Sequence, residues 1–387
     1  MNPQVIYVDN NATTAIDPEV FEAMKPFLTE FYGNPSSIHH FGGNVAAYIK
    51  KGREQLAEFL RAEPEEIIFT SCGTESDNSA VLSTLNTYPT RKKVVTSKVE
   101  HPAILNLGKY LREKGYIVSE IPVDKFGKID MTALEEMVDA DTAVVSIMWA
   151  NNETGNIYPV EKIAQITKSK GALFHTDAVQ AVGKIPINLK NSAIDMLSLS
   201  GHKLHAPKGV GALFVRKGVG FKPFMIGGHQ ESGRRAGTEN VAGIVALGKA
   251  SELAGKYMNY ENKEVKELRD YLESRILKRI PKTVINGDVA NRVPNTTNIA
   301  FEFIEGESIL LLLDEAGIAA SSGSACTTGS LEPSHVLRAM DVPYTSAHGS
   351  IRFSLSRYNT KAEMDRIIET LVPAIKKLRE ISPYWRP

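Results

Sequence analysis

Cysteine is scarce in this chain. Cys72 and Cys326 are the only two in 387 residues, too few and too far apart to frame a disulfide-stapled fold. The opening Met1-Asn2-Pro3-Gln4 carries no basic and apolar leader, so the expected setting is a reducing compartment, the cytoplasm, without export. Long hydrophobic runs are also missing. The longest apolar stretches, such as Ile309 to Leu313, fall far short of the roughly 20 residues that cross a bilayer, so no membrane segment is expected. Neither sign of charge is in excess, with 45 Lys and Arg against 45 Asp and Glu. A global field that would gather nucleic acid or an anionic membrane is thereby excluded. There is no low-complexity tract and no internal repeat. The glycine fingerprint of a dinucleotide-binding Rossmann unit is absent after the first long strand. His39, His40, His205, His229, His335 and His348 show no metal-ligand spacing, which predicts no dedicated metal site.

What is present reads as a folded α/β protein, 42% hydrophobic and 23% charged. Its length suits a large domain plus a smaller one. After an entry strand at Val5 to Val8, Asp17-Pro18-Glu19 has the form of a helix start, with the helix running towards Phe31. Helical spacing recurs over Asn44 to Leu60, Thr74 to Leu85, Ala103 to Glu113 and Val160 to Ser169. Strands are expected at Glu66 to Thr70, Lys93 to Ser97, Tyr116 to Ile121, Ala143 to Trp149, Leu173 to Thr176, Asp195 to Leu199 and Gly211 to Val215. These runs are apolar without clean alternation, as in a mainly parallel sheet covered on both faces. Beyond about residue 255 the texture changes. A charged helix over Glu261 to Ile280, a strand over Asn298 to Phe303 and helices over Glu307 to Ala316 and Lys361 to Glu380 predict a smaller α+β domain. The expected division is 15–258 for the large domain, with 1–14 and 259–387 forming the small one.

In an open α/β sheet, ligands sit outside the carboxyl ends of the strands. Ser71-Cys72-Gly73-Thr74 follows one strand and opens a helix, offering N–H groups and a hydroxyl to an anion such as phosphate. Glu100-His101-Pro102 and the amide-rich turn Asn151-Asn152-Glu153-Thr154-Gly155 follow two others. Asp177, beside a buried strand, needs a partner such as a protonated heterocyclic nitrogen or a structural Arg. Lys203 in Ser200-Gly201-His202-Lys203 stands at a sheet mouth, where desolvation and neighbouring cations make an amine carbonyl-reactive. An anion cup, a carboxylate, a reactive amine and a stacking ring together match the demands of pyridoxal phosphate.

At this point the residues resemble a known family. Asp9-Asn10-Asn11-Ala12-Thr13-Thr14, Gly33-Asn34-Pro35-Ser36-Ser37, Thr70 to Asn78, Asn151 to Gly155, His175 to Gln180, Ser200 to Lys203 and Ser321 to Cys326 are similar, in order, to cysteine desulfurases of the NifS/IscS type. The resemblance implies the fold type I pyridoxal-phosphate transferase architecture: a mainly parallel seven-stranded sheet plus a smaller α+β domain, in a homodimer. Lys203 would form the Schiff base, Asp177 would pair with the pyridine nitrogen and His101 would stack on the ring. Gly73, Thr74, Ser200 and His202 would hold the phosphate, and Thr238 would reach the phosphate of the other subunit. Gln180 and Asn152 would sit near the ring oxygen and substrate, and Arg352 would hold the substrate carboxylate. Cys326 would take sulfur from L-cysteine, leaving L-alanine, and pass it to an iron–sulfur scaffold protein, sharing a cluster iron transiently. The resemblance leaves open a selenocysteine lyase or an aminotransferase on the same fold, and a nitrogenase-directed or housekeeping pathway.

Overall fold

The computed structural model describes residues 5–322 and 333–385. Its strands, in chain order, begin with β1 (Ile6–Tyr7), β2 (Ile67–Thr70), β3 (Lys93–Ser97), β4 (Ile117–Ile121), β5 (Thr142–Ser146) and β6 (Leu173–Asp177). They continue with β7 (Met196–Ser200), β8 (Gly211–Val215), β9 (Thr283–Ile285), β10 (Thr296–Phe301), β11 (Ile318–Ala319) and β12 (Ser350–Ser354). β2 to β8 form one seven-stranded sheet in the order β2-β8-β7-β6-β5-β3-β4. The run from β4 to β7 is parallel, and β8 lies antiparallel to both β7 and β2. The mainly parallel seven-stranded sheet is therefore present as expected.

Strand alternation splits the core into two layers. Phe69, Val95, Val145, Leu197 and Phe214 face one apolar cluster, while Ile68, Val94, Val144, Met196 and Leu213 face another. Helices cover both faces, so each side of a strand is apolar and the sequence shows no polar alternation. A third cluster joins Ile6 and Val8 to residues between Val265 and Ile375, around the antiparallel β9-β10-β12 sheet and the parallel pair β1-β11.

Three elements depart from the sequence expectation. The entry helix stops at Met24 and a separate turn begins at Pro26, because proline cannot donate to the preceding turn. The strand expected to Trp149 ends at Ser146, although Ile147 and Trp149 N–H still donate to the carbonyls of His175 and Asp177. The charged helix does not start at Glu261: the helix Val241–Tyr260 runs into a π-turn at Glu261–Val265 and on through Lys266–Arg279. Gly243, Gly248 and Gly255 hide Val241–Tyr260 from a propensity reading. Their use is steric. A Cβ on Gly248 would lie 2.6 Å from the Cα of Gly52 in the helix Ala46–Leu60, so the two helices meet at their glycines.

Candidate active site

A cavity of about 300 Å³ opens at the carboxyl ends of the sheet. Its walls are the segments that leave the strands: Cys72 to Thr74 after β2, His101 after β3, Asn152 and Glu153 after β5, Asp177 and Gln180 at β6, and Ser200 to Lys203 at β7. Gly73 opens the helix Gly73–Thr87, whose first N–H groups have no intrahelical acceptor. A Cβ there would stand 2.7 Å from Val179 Cγ2, so only glycine lets this turn close against the β6 exit. Ser200 Oγ is buried and has no hydrogen-bond partner. Lys203 Nζ donates to the carbonyls of Asn11 and Ala12 at 2.5 and 2.6 Å.

The arm before Ala15 crosses the mouth and ties the site to β12. Asn11 donates to Asn152 O and Thr296 Oγ1, and accepts from Gln180 Nε2 at its own carbonyl. Arg352 on β12 is buried; its Nη2 pairs with Asp9 at 2.6 Å and its Nη1 donates to Asn152 O at 2.8 Å. Arg352 Nε has no partner. His101 caps the helix Pro102–Glu113 by accepting Ala103 N–H at Nδ1, which fixes the ring against the cavity.

Burial dominates the electrostatics. It raises the Asp177 carboxyl, with His101, Val179 N–H and Lys203 opposing. Asp77, also on the cavity wall, is pushed well above the carboxylate range by burial and then by Asp177. Burial raises Glu100 to about 8, against bonds from Ser97 and Met148 N–H. His101 is lowered by burial and, less, by Lys203 and His335, while Asp177 opposes. His202 falls to about 4 through burial and the adjacent Lys203. The site thus offers one low-dielectric pocket with neutral imidazoles and costly carboxylates, a setting that rewards a cationic heterocycle beside Asp177.

The structure brings together Gly73, Thr74, His101, Asn152, Asp177, Gln180, Ser200, His202, Lys203 and Arg352, all on this cavity. Thr238 lies elsewhere, in a separate cleft with Glu231 and Arg235. Cys326 falls outside the described residues. Sequence reasoning missed Asp77, Lys184 and the cavity-lining role of His335. Asp77 stands one helical turn after Gly73, a spacing that places both on one face, and this signal was readable. Among the described residues no His, Cys, Asp and Glu cluster could hold a metal ion, and no helix is long and apolar enough to cross a membrane.

The Aminotransferase class-V family model matches residues 6–367. Cysteine desulfurase NifS of Azotobacter vinelandii is 59% identical over 381 residues, covering 98% of this chain and 95% of that protein. Cysteine desulfurase of Gluconacetobacter diazotrophicus is 59% identical over 382 residues, covering 98% and 96%. A solved NifS-like protein superposes with a TM-score of 0.91 at 41% identity, covering 97% of this chain and all of that one. The chain belongs to the aminotransferase class-V family, among the cysteine desulfurases of the NifS/IscS type. It is a pyridoxal-phosphate enzyme. The residues fit that cofactor: the unpartnered Ser200 hydroxyl and the Gly73 helix start suit a phosphate, and the buried Asp177 suits a protonated ring nitrogen.

Proposed function

We propose that this cysteine desulfurase converts L-cysteine to L-alanine, with the sulfur leaving as a persulfide on Cys326 for an iron–sulfur scaffold protein. The observation that carries the site assignment is convergence. Lys203, Asp177, the Gly73–Thr74 helix start and the unpartnered Ser200 hydroxyl meet in one 300 Å³ cavity.

Pyridoxal phosphate, when bound, supplies an electron sink that makes the Cα proton of an attached amino acid acidic. Lys203 provides the anchoring amine and moves that proton as base and acid. Asp177 would supply the negative charge for the ring nitrogen, and His101, held by its bond to Ala103 N–H, would stack on the ring. Gly73, Thr74, Ser200 and His202 would hold the phosphate, while Gln180 and Asn152 would flank the ring oxygen and substrate. Arg352, oriented by Asp9 and the Asn152 carbonyl, presents its remaining N–H groups to the substrate carboxylate. The Cys326 thiolate would attack the substrate sulfur: the S–S bond forms as the Cβ–S bond breaks, and Cβ, keeping that electron pair, takes a proton to become the methyl group of L-alanine. An iron of the recipient cluster would meet Cys326 only in passing.

We propose a homodimer. Leu28, Phe31, Tyr32, Ile38, Phe41 and Tyr48 are exposed on one stretch of chain, an apolar patch that a second copy would cover. Thr238, outside its own chain's cavity, would then contribute to the partner's phosphate site. The division into 15–258 and 1–14 with 259–387 is supported by the cluster that joins Ile6 and Val8 to residues between Val265 and Ile375, while Val293, Val336, Leu337, Met340 and Ala347 of the second segment pack into the first segment's core. A cytoplasmic setting suits a thiol that must stay reduced to attack. The nitrogenase-directed branch is favoured by the identity to the NifS protein.

The test is a pair of variants. Purified wild type should show visible absorbance that Lys203→Ala abolishes, whereas Cys326→Ala should keep the colour and release no sulfide from L-cysteine under reductant. Accumulation of pyridoxamine phosphate with a keto-acid acceptor would point to transamination instead.

A further inference from the structure

Lys184 is buried, and the reaction as described leaves it without a task. Its Nζ donates to Gln180 Oε1 at 2.5 Å and to Asn11 Oδ1 at 3.3 Å. Lys203 Nζ donates to the carbonyl of the same Asn11. A buried amine and the site lysine therefore meet on one asparagine. Gly183 makes the approach possible. Its φ is +81°, and a Cβ there would stand 2.3 Å from Leu204 Cδ2, the residue after Lys203.

We propose that Lys184 is a positioning residue that holds a positive charge beside Lys203, weakening the proton affinity of the Lys203 nitrogen. A second cation in a low-dielectric site disfavours protonation of its neighbour, which is one way a lysine becomes a Schiff-base amine. Two acceptors and a carboxylate favour the charge on Lys184 against burial. Gln180 Oε1 and Asn11 Oδ1 both accept from it, and Glu261 favours its protonation while also pairing with Arg357 at 3.4 Å. Arg352 opposes that charge, and Arg357 and His205 complete the titratable and charged lining of the small cleft that Lys184, Lys203 and Glu261 share. Burial and then Lys203 pull Lys184 down to about 7, so about half of its charge remains at neutrality and its effect on Lys203 is strongest below that pH. Lys184 also fixes the Gln180 amide. Since Oε1 accepts from the ammonium, Nε2 must turn to the Asn11 carbonyl, 2.9 Å away.

The test is a visible-absorbance pH titration of the cofactor-loaded full chain, which reads the Lys203 Schiff-base nitrogen directly. Lys184→Met should raise its pKa by about one unit, tenfold in proton affinity, and Lys184→Arg should leave it within about a third of a unit of wild type. If the methionine variant does not fold, Lys184→Gln, uncharged but polar, carries the same reading. An unchanged or lowered pKa in the uncharged variants overturns the proposal. A wild type with no visible band would instead strike at the cofactor assignment and is distinguishable from it.

Discussion

Single residues in this site are governed by burial more than by identity. Glu100 shows it well: Ser97 Oγ and Met148 N–H bond its carboxyl, yet burial still lifts it to about 8 from the ordinary 4.5. Between those values the folded chain holds a proton that the unfolded chain has lost, so stability falls as pH rises through that window. Glu100→Gln removes this loss. Relative to wild type, the variant should gain roughly 2–4 kcal/mol between pH 5 and pH 8 in denaturant melts of the full chain, and parallel curves would contradict it. Gly73 is the second case. Gly73→Ala places a methyl 2.7 Å from Val179 Cγ2, and equilibrium dialysis should show pyridoxal-phosphate affinity at least about tenfold weaker. At this scale the sequence was informative wherever a residue followed a strand. It was silent on Lys184, whose role depends on Asn11, far away in the chain and brought near only by folding.

Elements were legible where periodicity was strong. The helices Ala46–Leu60, Pro102–Glu113 and Val160–Ser169 fall where apolar spacing put them, within a residue or two. Val241–Tyr260 was not, because its glycines lower helix propensity while serving a close contact that only the folded chain makes. That contact can be tested. Gly248→Leu forces a side chain into Gly52 and Gln55 and should cost about 2 kcal/mol or more in urea unfolding, whereas Gly218→Ala, which meets nothing within 4 Å but has a φ of +92°, should cost about 1 kcal/mol from backbone strain alone. Equal costs would remove the packing argument.

Across the whole molecule, the cavity is built between the β2–β8 sheet and the unit carrying β12, with the Asp9–Ala12 arm bridging them. Neither unit alone supplies both Lys203 and Arg352. The sequence showed the order of the motifs but not this closure, since Asp9 and Arg352 are separated by most of the chain. Assembly belongs to the same scale. Ile38→Asp places a charge in the exposed apolar patch and should shift the species seen in sedimentation velocity from dimer to monomer; an unchanged sedimentation coefficient would move the subunit contact elsewhere. A monomer would also lack Thr238 at the neighbouring phosphate, so its cofactor should dissociate faster.

On the proposed function, sulfur leaves L-cysteine for one particular thiol, Cys326. Wild-type protein supplied with L-cysteine and no reductant, then digested and mapped by mass spectrometry, should carry an added sulfur on the peptide containing Cys326 and none on that containing Cys72. Alanine formed in step with turnover, with Cys326 unmodified, would rule that thiol out as the sulfur acceptor.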